Sequence, residues 1–287
     1  MQISKISLLN ANYPEYLAQI DSPPKDLYVR GVLPTEPMIA VIGTRRPSQY
    51  GRDVTYRLAA DLARAGFVIV SGLAYGLDAV AHRAALDVGG RTVAVLANGL
   101  DTVYPVPHAA LATEIIDNGG AIVSEQIEGT PPLKHHFVAR NRIVSGLCLA
   151  VLVTEATTKS GTLITATFAN NQNRLVMAIP GNITSERAAG PNNLIKSGAL
   201  AVTDVVDVLN ALNFESGAVA ATPVRAASAS EAKMLDLLAR GVNTTQELII
   251  QSGYTASEFA NIISLMEITG KLTNLGAGHW SVRGRTL

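Results

Sequence analysis

Two stretches of the chain carry side chains suited to holding a polyanion. The first, Gly43 to Gly51 (GTRRPSQYG), follows the unbroken apolar run MIAVI at 38–42. Gly43 and Thr44 turn the chain, Arg45 and Arg46 supply charge, and Ser48 stands just before a helix expected to open near Gly51. The free amide groups of such a helix start face an anion readily. A dinucleotide fingerprint is excluded, because Arg45 occupies the place where the second glycine of that motif must admit the backbone. The second stretch, PPLKHHFVARNR at 131–142, sets Phe137 among Lys134, His135, His136, Arg140, Asn141 and Arg142. Cations interleaved with a ring match single-stranded nucleic acid, whose phosphates seek charge and whose bases offer faces for stacking. Two bland arrangements use the same residues: a plain turn with solvated arginines, and a core-anchored Phe137 beside a solvated basic face.

Further along, VLVTEATTKSGTLITATFANNQNR puts Glu155 at a strand end and Lys159, Ser160, Gly161 and Thr162 just before a helix. With Gly43–Arg46 and Ser71–Gly72, this makes three glycine-bearing loops that one sheet edge could bring together. Glu155 reads either as a structural carboxylate accepting loop amides or as an unpaired catalytic acid. No Ser/His/Asp or Cys/His signature is present. Adjacent His135 and His136 are poorly spaced as joint metal ligands, so neither a metal nor a cofactor is expected. The single cysteine, Cys148, lies in LCLAVLV and reads as a small buried hydrophobe, which with the lack of any disulfide partner in the chain suits a reducing cytoplasm.

These groups need a scaffold, and the alternation of apolar strands with helical patterns from residue 38 onward is that of an α/β parallel sheet covered by helices on both faces. The 287 residues, 48% hydrophobic, suffice for one large core and a small second domain. Residues 1–37, with five prolines, read as an arm laid over the main domain. The sheet domain spans 38–212, a linker rich in small residues 213–229, and a C-terminal domain 230–287. In that tail, Thr244 with Glu247 and Thr255 with Glu258 form capping boxes, Gly270 ends the third helix, and a Gly-Ala-Gly turn joins two strands, a winged-helix-like order. The third helix carries no lysine or arginine, so packing or protein contact is expected of it rather than groove reading.

Lysine plus arginine balance aspartate plus glutamate at 23 each, so there is no global field to attract nucleic acid, and charge must be segregated locally. It is: Glu36 to Asp53 holds Arg45, Arg46 and Arg52 with no acid between, and Glu128 to Glu155 holds Lys134, Arg140 and Arg142. Aromatics make up only 5%, so any exposed ring is informative. No apolar run approaches the roughly 20 residues of a membrane span.

VIGTRRPSQYG, SGLAYGLDAVAH, the K-x-x-F-x-x-R-N-R segment at Lys134 to Arg142, SGTLITA, IPGN and GPNNLIKSGA together resemble the DprA/Smf family of DNA-processing proteins, over about residues 10 to 210. The resemblance implies an extended Rossmann-like domain that binds single-stranded DNA in natural transformation, protects incoming DNA, forms a homodimer and helps load the RecA recombinase, without enzymatic activity. By motif, it carries DNA contact onto Arg45, Lys134 and Phe137, with Arg140, Asn141 and Arg142 as neighbours. Many members have a helical N-terminal domain that 37 proline-rich residues cannot hold. The rival expectation is a Rossmann-like nucleoside-monophosphate phosphoribohydrolase. Its glycine-rich motif ends in a glutamate, whereas here Thr162 is followed by Leu163, Ile164 and Thr165.

Overall fold

The apolar run Met38–Ile42 is a strand with all five residues buried, as required of a strand covered on both faces. Ile39 and Val41 face one core cluster and Ala40 and Ile42 the other, following the two-residue alternation of a strand. The computed structural model describes residues 3–214, 226–269, 271–276 and 278–282. They form two compact units, Met1–Gly217 and Ala218–Leu287.

The first unit opens with β1 (Ser4–Ser7), α1 (Glu15–Ala18), β2 (Asp26–Gly31), β3 (Met38–Ile42) and α2 (Gln49–Arg64). Then come β4 (Val68–Ser71), α3 (Leu77–Asp87), β5 (Thr92–Val95), α4 (Ala109–Asp117), β6 (Ala121–Ser124) and α5 (Lys134–Gly146). It closes with β7 (Ala150–Val153), α6 (Thr162–Asn171), β8 (Leu175–Ala178), α7 (Ala189–Lys196), β9 (Leu200–Ala201) and α8 (Val205–Ala211). The nine-stranded sheet has the order β1-β2-β6-β5-β4-β3-β7-β8-β9. From β6 to β9 every neighbouring pair is parallel, with α1, α5 and α6 packed on one face and α2, α3 and α8 on the other.

The strands from residue 38 onward pair in parallel as expected, and the segment before them adds an antiparallel edge, with β2 antiparallel to β6 and β1 antiparallel to β2. Ser4–Ser7 and Asp26–Gly31 of this segment are therefore part of the sheet. The segment's prolines break helices but lie between short strands, and an antiparallel edge on a parallel sheet needs only backbone pairing. Tyr13, Leu17 and Ile20 from the same segment are buried in the core. Cys148 is buried there too, and burial pushes its thiol well above the ordinary range, as suits a packing residue.

Strands after β3 first build outward through β4, β5 and β6, and the chain then returns to place β7 on the other side of β3. Such a reversal leaves a crevice beyond the carboxyl ends of the two strands. The loops after β3 and β7 border it.

The second unit comprises α9 (Ala229–Ala239), α10 (Thr245–Ser252), α11 (Ala256–Ile268) and the antiparallel hairpin β10 (Leu272–Gly276) and β11 (His279–Val282). Met234, Leu238, Phe259, Ile263, Met266 and Trp280 form its own core. The Thr255–Glu258 capping box closes completely. At Thr244 only the half from the Glu247 N–H is made, and the Glu247 carboxylate accepts the threonine hydroxyl (2.8 Å). Gly270, Ala277 and residues 215–225 of the expected linker lie outside the described residues.

Candidate nucleic-acid interface

The loop after β3 is clamped from below. A Cβ on Gly43 would stand 2.5 Å from Leu77 Cδ1 and 2.8 Å from Thr154 Oγ1. The Thr44 N–H donates to the Glu155 carbonyl (2.8 Å), and the Leu77 N–H donates to the Thr44 carbonyl (3.2 Å). Gly76 completes the clamp at φ 82°, a left-handed conformation that favours glycine; a Cβ there would collide with the Thr44 carbonyl oxygen. Held in this way, Arg45 and Arg46 remain exposed.

The start of α2 is fixed by Glu155. Its buried carboxylate accepts the Ser48 N–H (2.9 Å) and the Ser48 hydroxyl (2.5 Å), while Ser48 Oγ caps the helix by accepting the Gly51 N–H (3.0 Å). A Cβ at Gly51 would collide with Glu155 Oε2. Of the two readings of Glu155, the loop-holding carboxylate is the one observed.

Arg140 is buried, contrary to its expected part in contacting DNA. Its guanidinium donates to the Gly72 carbonyl (2.7 Å) and to that of Val95, tying the ends of β4 and β5 to α5. Asp78 completes this knot by accepting the N–H groups of Gly72 (3.1 Å) and Ala74 (3.3 Å). Burial pushes the Asp78 carboxyl above its ordinary range, against the pull of Arg140, and pushes Arg140 down to about 10, so the guanidinium stays charged at neutral pH. Gly72 is part of the fit, since a Cβ there would run into the Arg140 guanidinium. Arg142 is likewise engaged, ion-paired to Glu125 and largely covered. Lys134 is exposed on the first turn of α5 and does not line the cleft.

Above this framework lies an open cleft of about 700 Å³. Gly43, Thr44, Arg45 and Arg46 line one side, Phe137, Val138 and Asn141 another, and Ser160, Gly161 and Thr162 a third. Phe137 is half-buried, with the Arg45 guanidinium 5.7 Å from its ring centroid, a cation–π geometry. The hydroxyl protons of Ser160 and Thr162 are committed, Ser160 to Thr162 Oγ1 (3.0 Å) and Thr162 to the Gly43 carbonyl (3.0 Å), so these side chains brace the loop instead of donating to an anion. Three other phosphate-loop candidates do not line the cleft: Ser48, Ser71, whose buried hydroxyl donates to the Val41 carbonyl (2.8 Å), and exposed Lys159.

Sequence reasoning missed three cleft residues. Tyr75 and Tyr104 are exposed rings on the loops after β4 and β5, and the scarcity of aromatics was the signal available for them. Arg187 reaches the cleft and donates to the Arg46 carbonyl (2.7 Å), and nothing local in its sequence marks it. Among the described residues no three His, Cys, Asp or Glu side chains are grouped as metal ligands, and His135 and His136 pack against each other.

A parallel sheet with helices on both faces and a basic, ring-bearing cleft at its strand reversal defines a Rossmann-like α/β protein. Residues 4–213 match the family described as DNA recombination-mediator protein A, and the chain belongs to that family. It is 45% identical over 204 residues to Protein Smf of Escherichia coli K12, a match covering 70% of this chain and 54% of that protein, so it spans about half the length of this relative. The X-ray structure of DNA processing protein A (DprA) from Streptococcus pneumoniae superposes with a TM-score of 0.69 at 41% identity, covering 73% of this chain and 74% of that one. DNA processing protein A from Helicobacter pylori, whose structure is described as revealing its single-stranded DNA binding mode, gives 0.65 at 33% identity, covering 74% and 96%.

Proposed function

We propose that this chain binds single-stranded DNA in the cleft, with Arg45 holding phosphate and Phe137 stacking a base. The observation that carries this reading is the Arg45 guanidinium poised over the half-buried Phe137 ring at the mouth of a cleft between fixed loops. A cation beside a ring meets both parts of a nucleotide without reading its identity. The single-stranded DNA binding described for the Helicobacter pylori relative supports the same assignment. Lys134 and Asn141 extend the contact along α5, and Arg46 along the loop after β3. Within this reading the protein protects incoming DNA during natural transformation in the cytoplasm, works as a homodimer and passes the strand to the RecA recombinase; the family description as a recombination mediator supports that role. Among the described residues no helix is long and apolar enough to cross a membrane.

The reading is one of binding without turnover, supported by the commitment of the Glu155 carboxylate to Ser48. Titration of single-stranded and duplex oligonucleotides of equal length tests it. The expected result is tighter binding of the single strand, weakening as salt rises. Equal affinity for duplex, or none for either, would refute it.

A further inference from the structure

Past Phe137 the cleft continues into a smaller pocket of about 60 Å³, lined by Arg45, Gly72, Tyr75, Tyr104 and Phe137 among others. Three rings meet there from three segments: the loop after β4, the loop after β5, and α5. The Tyr104 and Phe137 centroids are 5.7 Å apart with planes at 64°. Tyr75 stands edge-on to His108 at 5.0 Å, and that imidazole is held by donating from Nδ1 to the Leu73 carbonyl (2.8 Å). Both tyrosines are nonetheless open to solvent, at 47% and 44% exposure, and neither hydroxyl hydrogen-bonds any described residue. A buried ring with its polar end fastened is ordinary core; two exposed rings with free hydroxyls around a pocket offer apolar faces for a planar guest.

We propose that this pocket is a second nucleobase subsite, where the base adjacent to the one on Phe137 packs against Tyr75 and Tyr104. The inference rests on the single-strand-binding reading and deepens it. Arg45 lines both the large cleft and this pocket. Its guanidinium is therefore placed for the phosphate joining the two nucleotides. The Tyr104 and Phe137 ring planes are inclined at 64°, so bases lying on the two rings are splayed rather than parallel as in a duplex stack.

The test is affinity for oligothymidylate across salt concentrations, with Tyr75→Ala, Tyr104→Ala and the Tyr→Phe variant at each position. Each alanine variant is expected to bind about tenfold more weakly with an unchanged salt slope, while the phenylalanine variants bind as wild type. Tyr104→Trp supplies a readout independent of truncation: Trp280, the sole natural tryptophan, is buried in the second unit's core, so quenching of the new indole reports a base against position 104. Alanine variants that bind like wild type, together with indole emission from the Tyr104→Trp variant that stays unquenched at saturation, would overturn the subsite while leaving single-strand binding intact. A wild-type chain that does not bind the oligonucleotide would overturn both.

Discussion

Glu155 holds Ser48 from 107 residues away, its carboxylate accepting both the backbone N–H and the hydroxyl of that helix-capping serine. The bond joins the end of β7 to the start of α2, so the loop bearing Arg45 and Arg46 is anchored at a point outside the cleft. Glu155→Gln replaces one acceptor with a donor facing donors. It should lower stability by about 1 to 3 kcal/mol, measured as a shift in denaturant midpoint with unchanged slope. Incubated with nucleoside monophosphates, wild type and variant should release no free base; release by wild type that the variant abolishes would establish Glu155 as a catalytic acid and defeat the binding-only reading.

Arg140 and Arg142 are expected to separate cleanly. Arg140→Met leaves the Asp78 carboxylate buried without its cation and should cost about 3 to 5 kcal/mol. Asp78 already sits above its ordinary value through burial, and loss of the arginine raises it further. A raised carboxyl favours the fold when protonated and loses that favour as pH climbs above its unfolded value, so the gap from wild type should narrow as pH falls towards about 4. Arg142→Met should leave the salt dependence of DNA binding unchanged, since Glu125 already neutralises that cation. Thermal melts over pH and salt titrations of the two variants check both statements.

His82 predicts an acid limit of its own. The Thr92 hydroxyl donates its one proton to the Ile69 carbonyl (2.6 Å), so it must accept from His82 Nδ1 (2.6 Å), leaving Nε2 buried, unprotonated and unpartnered. Burial pushes this imidazole down to about 3. The unfolded chain therefore binds a proton that the folded one refuses between about 6.5 and 3, and stability present above 6.5 is lost on acidification through that window. His82→Gln should flatten the stability profile there by up to about 1.4 kcal/mol per pH unit. A profile that keeps its slope would show that another group carries it.

The second unit should be dispensable for single-strand affinity. Its helix α11 has Glu258 and Glu267 but no lysine or arginine, and its core is its own. A chain ending within 215–225 should stay folded and keep its affinity within about tenfold, roughly 1.4 kcal/mol; a larger loss in the same titration would assign DNA contact to the tail.

The strands and the loop of Arg45 were legible in the sequence because their signals are local: an unbroken apolar run, a glycine, then charge. The antiparallel edge was not, because β1 and β2 carry weak alternation and the edge is joined to the sheet by β2 pairing with β6, about 90 residues on. The segment at Lys134 to Arg142 shows the limit most plainly. Its basic residues look equivalent in sequence, yet along one helix Lys134 is exposed, Arg140 points into carbonyls at the strand ends and Arg142 meets Glu125. Their fates depend on partners from β4, β5 and the loop after β6, which no local pattern announces. Tyr75 and Tyr104 converge for the same non-local reason.

The central claim, that Arg45 and Phe137 divide a nucleotide between them, is tested most directly by titrating single-stranded DNA against wild type, Arg45→Ala and Phe137→Ala over a range of salt, with melting curves alongside. Arg45→Ala should weaken binding and flatten the slope of log affinity against log salt by about 0.7, the signature of one lost phosphate contact. Phe137→Ala should remove about 1 to 3 kcal/mol with the slope unchanged, because what is lost is a stacked face. If Phe137→Ala melts far below wild type while its folded fraction binds normally, the ring belongs to the core and the claim fails.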